Sequence, residues 1–272
     1  MLRVMTTPIV RDYDEDLATV PRHWMSGNAA ATAIANGINM LFPHGERFFV
    51  RSVNHFIDHI NDPALKKQVK AFFQQEGRHA SAHDDFNEVL RHHGFEIDGF
   101  LENYRGLFLW VEKRVPPKLN LAGTAAAEHF TATLAEGVFT RDVLETLHPK
   151  MRRLLAWHAA EEIEHKAVAF DVLQAVDPSY FLRIAGLAYA TSLLGGFWLW
   201  ATIALARQEQ LTPRSFFKEL RNVRVLNSVI KTVFGAGIRQ YAKRKFHPRD
   251  NANEQLAERW FAAHGLAMPD AA

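Results

Sequence analysis

The sequence predicts an all-α protein, a four-helix bundle carrying additional C-terminal helices. Alternating apolar and polar strand patterns are scarce, prolines and capping residues bracket long uninterrupted runs, and metal-ligand residue types recur at helical spacing on two of those runs. The composition agrees, because 272 residues with 48% hydrophobic and 23% charged side chains suffice for a substantial core. No internal repeat or low-complexity tract suggests another architecture.

Pro43 can open the first long helix, running to about Ile60. Asp62 and Pro63 then supply an N-cap and a first-turn proline for a helix from about Ala64 to His93, ended by Gly94. A shorter helix covers about Phe100 to Val115 before Pro116 and Pro117 break it. The Ala-rich stretch from about Leu119 to Gly137 suits close helix packing, and Pro149 opens a run from Lys150 to about Val176. Asp177 and Pro178 mark the next junction, so residues 1–180 are expected to form the bundle with an N-terminal extension. Residues 181–272 form the second part. Ile184 to Ala206 is uncharged, Arg207 to Arg249 is strongly basic, and an amphipathic helix is expected over Glu254 to His264.

With no cysteine, disulfides, Fe–S clusters and thiolate zinc sites are excluded, leaving imidazole and carboxylate as strong metal ligands. Glu76 and His79 stand at i and i+3, which puts both side chains on one helix face about a turn apart. Glu162 and His165 repeat the spacing on a second long helix. A single E-x-x-H is common on any charged helix; two copies, with Glu46 in the helix before the first and Glu128 in the helix between them, are far more specific. Ferritin-like di-metal proteins draw this set from four helices. Four carboxylates also balance the charge of two divalent ions, which makes their burial tolerable. Glu136 is an alternative to Glu128. His158, four residues before Glu162, is a candidate seventh ligand, with His83 competing for that place from the other helix. Glu161 and Glu164 are expected to face away. His55, His59, His92, His93 and His129 read as packing or surface residues, Arg47 and Arg78 as ion-pair partners, and Phe48, Phe49, Phe72, Phe73, Phe86, Phe130 and Phe139 mainly as core.

The order Glu46, Glu76 with His79, Glu128, then His158 with Glu162 and His165, resembles the arylamine N-oxygenase branch of ferritin-like di-iron enzymes, in which a third histidine precedes the final E-x-x-H. The strings QQEGRHASAH, AAEHFTA and HAAEEIEHKAVAFDV resemble more closely a bacterial family described as predicted metal-dependent hydrolases. The resemblance covers roughly Pro8 to Ala206, and its motifs are specific for the metal site rather than for a substrate. Two iron ions are the expected cofactors, with manganese or zinc as alternatives.

The leading expectation is a non-haem di-iron oxidoreductase that uses O2 and an electron donor on an apolar or aromatic small molecule. Its rival is hydrolysis by a water activated between two metal ions. A third class is a non-enzymatic iron-handling bundle. The acidic N-terminal region, with Asp12, Asp14, Glu15 and Asp16, lacks the pattern of a secretory signal, so a cytoplasmic location is expected. The segment 184–249 is expected to touch the inner membrane surface or to dip into it as a hairpin about Gly195 and Gly196. No nucleic-acid docking motif is present, and a homodimer is compatible with the sequence.

Overall fold

A computed structural model describes residues 7–221 and 232–266. The described residues form helices linked by turns, with one isolated antiparallel bridge between Met25 and Leu147. In chain order the helices are α1 (Ala29–Asn39), α2 (Phe42–Asn54), α3 (Pro63–His92), α4 (Asp98–Arg114), α5 (Pro117–Thr140), α6 (Pro149–His165), α7 (Val168–Val176), α8 (Tyr180–Gln208) and α9 (Pro213–Leu220). A π-helical turn at Thr232–Gly237 leads into α10 (Ile238–Tyr241), and α11 (Glu254–Ala263) ends the described chain.

Local chemistry accounts for many boundaries. Proline occupies the first turn of α2, α3, α5 and α6, where its missing N–H costs no intrahelical bond. The Asp62 carboxylate accepts from the Ala64 amide at 2.8 Å and caps α3. Gly94, at φ +80°, adopts the left-handed conformation beyond the end of that helix.

Four helices enclose a common interior. α2 packs on α3 and α5, while α6 packs on α5 and α3. Phe48, Phe72, Phe86, Leu121 and Trp157 fill that interior around its polar centre. α8 lies across α5 and α1, approaching so closely that a Cβ on Gly186 would meet the Ala122 carbonyl carbon at 2.4 Å. α11 covers the outer side of α6, and the N-terminal stretch reaches the same side through Arg11.

Three expectations require correction. The run from Lys150 to Val176 is two helices, broken at Lys166 and Ala167. There the buried Lys166 ammonium is drawn to Asn251 O at 2.7 Å, Asn253 Oδ1 at 2.6 Å and Glu254 at 2.7 Å, linking the break to the C-terminal segment. Gly195 and Gly196 lie within one unbroken α8 rather than at a hairpin tip, since packing against α1 and α5 offsets the roughly 1 kcal/mol cost of a helical glycine. Helix α1, inside the expected N-terminal extension, was not anticipated by any periodic signal; Asn28 caps it through the Ala31 amide at 2.8 Å. Of the basic segment, Arg224 and Lys231 lie outside the described residues.

Candidate metal centre

Each of the four enclosing helices contributes acid or imidazole to one buried cluster. Glu46 comes from α2, Glu76 and His79 from α3, Glu128 from α5, and His158, Glu162 and His165 from α6. All seven are at most 4% exposed, an extreme burial for charged side chains. Their donor atoms fall into groups within 4.8 Å of one another, namely Glu46 with Glu76 and His79, Glu76 with Glu128 and His165, and His79 with His158 and Glu162. Glu76 is common to the first two groups. A further group brings His83 together with Glu46 and His158.

The hydrogen-bonding pattern separates these side chains from an ordinary buried network. Neither oxygen of Glu46, Glu76 or Glu128 forms a hydrogen bond, nor do Glu162 Oε2, His79 Nδ1 and His165 Nε2. Buried polar atoms left unpaired cost about 1–3 kcal/mol each, more when charged, so convergence of so many on one point needs a compensating cation. His165 Nε2 lies 3.0 Å from Glu76 and 3.3 Å from Glu128, close but outside hydrogen-bond geometry. The donor set is hard and anionic, four carboxylates with imidazoles, and suits divalent cations.

The electrostatics carry the same message. Burial, reinforced by the neighbouring carboxylates, drives Glu46 and Glu76 well above the usual carboxylate range. Burial pushes Glu128 up to about 7, against the opposing charge of the nearby His165. Burial would also raise Glu162, but the charge of His165 and the close approach of His158 and His165 prevail and hold it well below its ordinary value. His165, which burial alone would lower, is raised by Glu162, Glu128 and Glu76.

A second layer holds the two E-x-x-H histidines by the ring nitrogens that face away from the centre. His79 Nε2 is 3.0 Å from Glu161 Oε2, and His165 Nδ1 is 2.9 Å from Gln75 Oε1. Gln75 donates to Glu164 Oε2 at 3.0 Å. Arg11 closes both branches, binding Glu164 bidentately at 2.8 Å and standing 3.5 Å from Glu161, with its guanidinium 3.4 Å from the centre of the Phe261 ring. One residue from the N-terminal segment thus braces a histidine on α3 and another on α6, the arrangement that orients metal-binding imidazoles. Burial pushes Glu161 up to about 8 despite Arg11.

This layer corrects the expectation that Glu161 and Glu164 face away. Glu161 is fully buried against His79, and Glu164 is partly buried against Arg11. Their angular offset on α6 puts them beside the ligand face, where Arg11 draws them in. Gln75, next to Glu76 in sequence, and Arg11, far from either motif, carry no spacing signal. Asn39 is also unanticipated; its Oδ1 lies 2.5 Å from His83 Nδ1.

The competition between His158 and His83 resolves into a chain. His83 Nε2 is 2.6 Å from His158 Nδ1, and His158 Nε2 is 2.9 Å from Glu162 Oε1 and 3.5 Å from Glu46 Oε1. His158 is thus the inner of the two. Phe42 packs against both imidazoles, at 4.5 Å from His83 and 4.6 Å from His158. Glu136 is elsewhere, accepting from Asn253 Nδ2 at 2.9 Å, which leaves Glu128 as the α5 carboxylate of the cluster. His129 is bonded to the Gly237 carbonyl at 2.9 Å, while Arg47 and Arg78 pair with Asp84 and Asp12 near the surface.

His158 and Glu162 also form part of the wall of an apolar cavity of about 120 Å³, otherwise lined by side chains such as Trp24, Ile34, Phe42, Leu134 and Trp198. The volume approaches that of the ~150 Å³ cavity that accepts benzene. The cluster therefore faces a space suited to an apolar group.

No curated protein and no solved structure matches the chain. A family model described as "Predicted metal-dependent hydrolase" matches residues 9–252, a span that includes Arg11, every candidate ligand and the cavity wall. The chain belongs to the predicted metal-dependent hydrolase family.

Proposed function

We propose that the protein is a metal-dependent hydrolase with a dinuclear centre in a ferritin-like four-helix bundle, acting on a small substrate with an apolar group beside the scissile bond. The observation that carries this reading is the joint placement of an unpaired carboxylate–imidazole cluster and an apolar cavity, with His158 and Glu162 belonging to both. Membership of the family supports hydrolysis as the reaction class. Glu46, Glu76 and His79 would hold one ion and Glu76, Glu128 and His165 the other, with Glu162, 3.5 Å from His165, beside the second set.

Divalent ions bound there supply Lewis acidity and lower the pKa of a coordinated water. The chain's own residues perform the remaining tasks. The apolar wall from Trp24 to Trp198 positions the substrate's apolar group and excludes bulk water from the reacting bond. His158 takes the proton of the attacking water at Nε2, the nitrogen directed at Glu162, and returns it to the leaving group. His83 orients His158 through Nδ1, and Asn39 anchors His83. Arg11, Glu161, Glu164 and Gln75 keep His79 and His165 aimed inward.

A second reading rests on a specific feature of His158. Its Nε2 lies within the ligand groupings, 3.5 Å from Glu46 and 2.9 Å from Glu162, so it can instead complete a seven-residue donor set for two iron ions. That set resembles the arylamine N-oxygenases and supports O2-dependent oxidation of an apolar or aromatic substrate with an external electron donor.

One experiment separates the readings. Protein loaded anaerobically with Fe(II), Mn(II) or Zn(II) is assayed for metal content, for turnover of aryl and acyl esters, and for O2 consumption. Hydrolysis supported by redox-inert Zn(II), with a His158→Ala variant that retains metal but loses turnover, is the expected outcome. Iron-specific O2 uptake without ester turnover, together with metal loss in His158→Ala, replaces hydrolysis by the oxidative reading. Neither activity with any metal overturns both.

A further inference from the structure

The outer face of α8 departs from the pattern of a helix at an aqueous surface. Following its exposed positions from Phe181 through Ala188, Gly196, Leu199 and Ile203, no charge occurs before Arg207. Only 22% of the helix's most apolar window is buried, although its length and composition would allow it to cross a membrane. Leu199 is 61% exposed and Trp200 43%, and they are joined by Trp110 of α4 at 54% and Phe217 of α9 at 63%. Such a patch on several elements requires a cover.

The exposed charges on the C-terminal end of α8 and on α9 are all basic. Arg207, Arg214, Lys218 and Arg221 are exposed and have no ion pair among the described residues. The acids beside them in the chain, Glu209 and Glu219, are engaged elsewhere, while the exposed Glu96, tied to Gln208 through its backbone, and Glu102, beside Trp110 and Trp200, border the face. Glu209 pairs with Arg22 at 2.8 Å and lies 3.1 Å from His23, while Glu219 accepts from the Ala30 amide at 3.0 Å.

We propose that the α4–α8–α9 face docks on a lipid bilayer with anionic headgroups. Exposed tryptophans and apolar side chains enter the interfacial region while the cations meet the headgroups. Charge favours this occupant over a second copy, because an identical patch would bring the same excess of cations and no anionic surface to meet them. An apolar groove walled by Ile34, Trp198, Leu199, Ile203, Phe216 and Phe217 lies on this face. Ile34 and Trp198 also wall the cavity at His158 and Glu162, so groove and cavity share a boundary. Substrates that partition into membranes are therefore the class this enzyme would take. That extension rests on the proposed hydrolase; docking itself does not.

The test is co-sedimentation of the intact chain, metal-loaded and chelator-treated, with vesicles of phosphatidylcholine alone or mixed with phosphatidylglycerol. Binding is expected only to the mixed vesicles, in both metal states, and to weaken with salt. Arg214→Glu combined with Lys218→Glu should lower partitioning by at least about tenfold, since each surface cation contributes on the order of 1 kcal/mol. Leu199→Ser with Phe217→Ser should lower it comparably, with helical content and metal stoichiometry unchanged. Absence of binding to mixed vesicles overturns the proposal. So does a stable dimer, found by sedimentation, that the Leu199 and Phe217 changes dissociate without any vesicle binding. Ester turnover in vesicle-free buffer with no vesicle binding leaves the hydrolase standing and removes the docking surface; vesicle binding without turnover does the reverse.

Discussion

The interior of the α2–α3–α5–α6 group and the outer face of α8 are opposites, each inverted relative to an ordinary globular protein. The first buries four carboxylates and their imidazoles, whereas the second exposes tryptophan, leucine and phenylalanine. Both inversions are costly in isolation, one through desolvated charge and the other through hydrated apolar surface. They differ in how sharply they specify a partner. Carboxylates and imidazoles converging within 4.8 Å ask for cations at a defined point. An apolar helix face with cations at one end asks only for an apolar, anionic-edged surface. The centre should therefore respond to single substitutions, while the face should respond to sums of them.

The largest effect is expected at the residue shared by both principal ligand groups. Glu76→Ala should remove close to both metal equivalents, whereas Glu162→Ala and His165→Ala should each remove about one, as measured by elemental analysis after equilibration with excess metal. Full occupancy in Glu76→Ala would break the contrast between a point-specified centre and a diffuse face.

Metal removal comes next. Because ions bind only where the folded chain gathers the ligands, saturation at 1,000-fold above Kd adds about 4 kcal/mol of stability, which chelation should abolish in a thermal melt. The metal-free protein should also respond to pH. Burial raises Glu161 to about 8 and Glu128 to about 7, and it raises Glu46 and Glu76 in the same direction. A carboxyl whose folded pKa exceeds its unfolded value contributes stability at low pH that is lost as pH rises through the folded pKa. His165, also raised, loses its contribution in the same sense, while Glu162, lowered, works the other way at acid pH. Denaturant titrations of metal-free protein should show stability falling between about pH 4.5 and 8. Metal-loaded protein should lack that fall over the neutral part of this range.

Smaller effects belong to the second layer. Arg11→Met leaves every candidate ligand in place but releases both carboxylate braces, so both metal affinities should fall by about tenfold or more, read by chelator competition. Gln75→Leu should weaken chiefly the ion held by His165. Glu136→Gln, outside the cluster, should leave metal content unchanged.

The contrast also explains what was legible in the sequence. Glu76–His79 and Glu162–His165 were readable because i, i+3 spacing translates directly into a shared helix face, and Glu46 and Glu128 followed from helix order. His158 and His83 left two readings because the residue relation is the same on both helices; their 2.6 Å contact depends on the packing of α3 against α6. Arg11, Glu161 and Gln75 were illegible because their roles arise from contacts across 153, 82 and 90 residues of chain. The apolar character of Ile184 to Ala206 was plain, yet composition could not tell a hairpin from one continuous helix lying on α1 and α5.

On the proposed reading, side chains from α2, α3, α5 and α6 hold two ions at one buried point. Anomalous diffraction from crystals grown with Mn(II) tests it most directly. Two peaks are predicted, one contacted by Glu46 and His79, the other by Glu128 and His165, with Glu76 reaching both. A solitary peak on the surface, or none inside the helical interior, would contradict it.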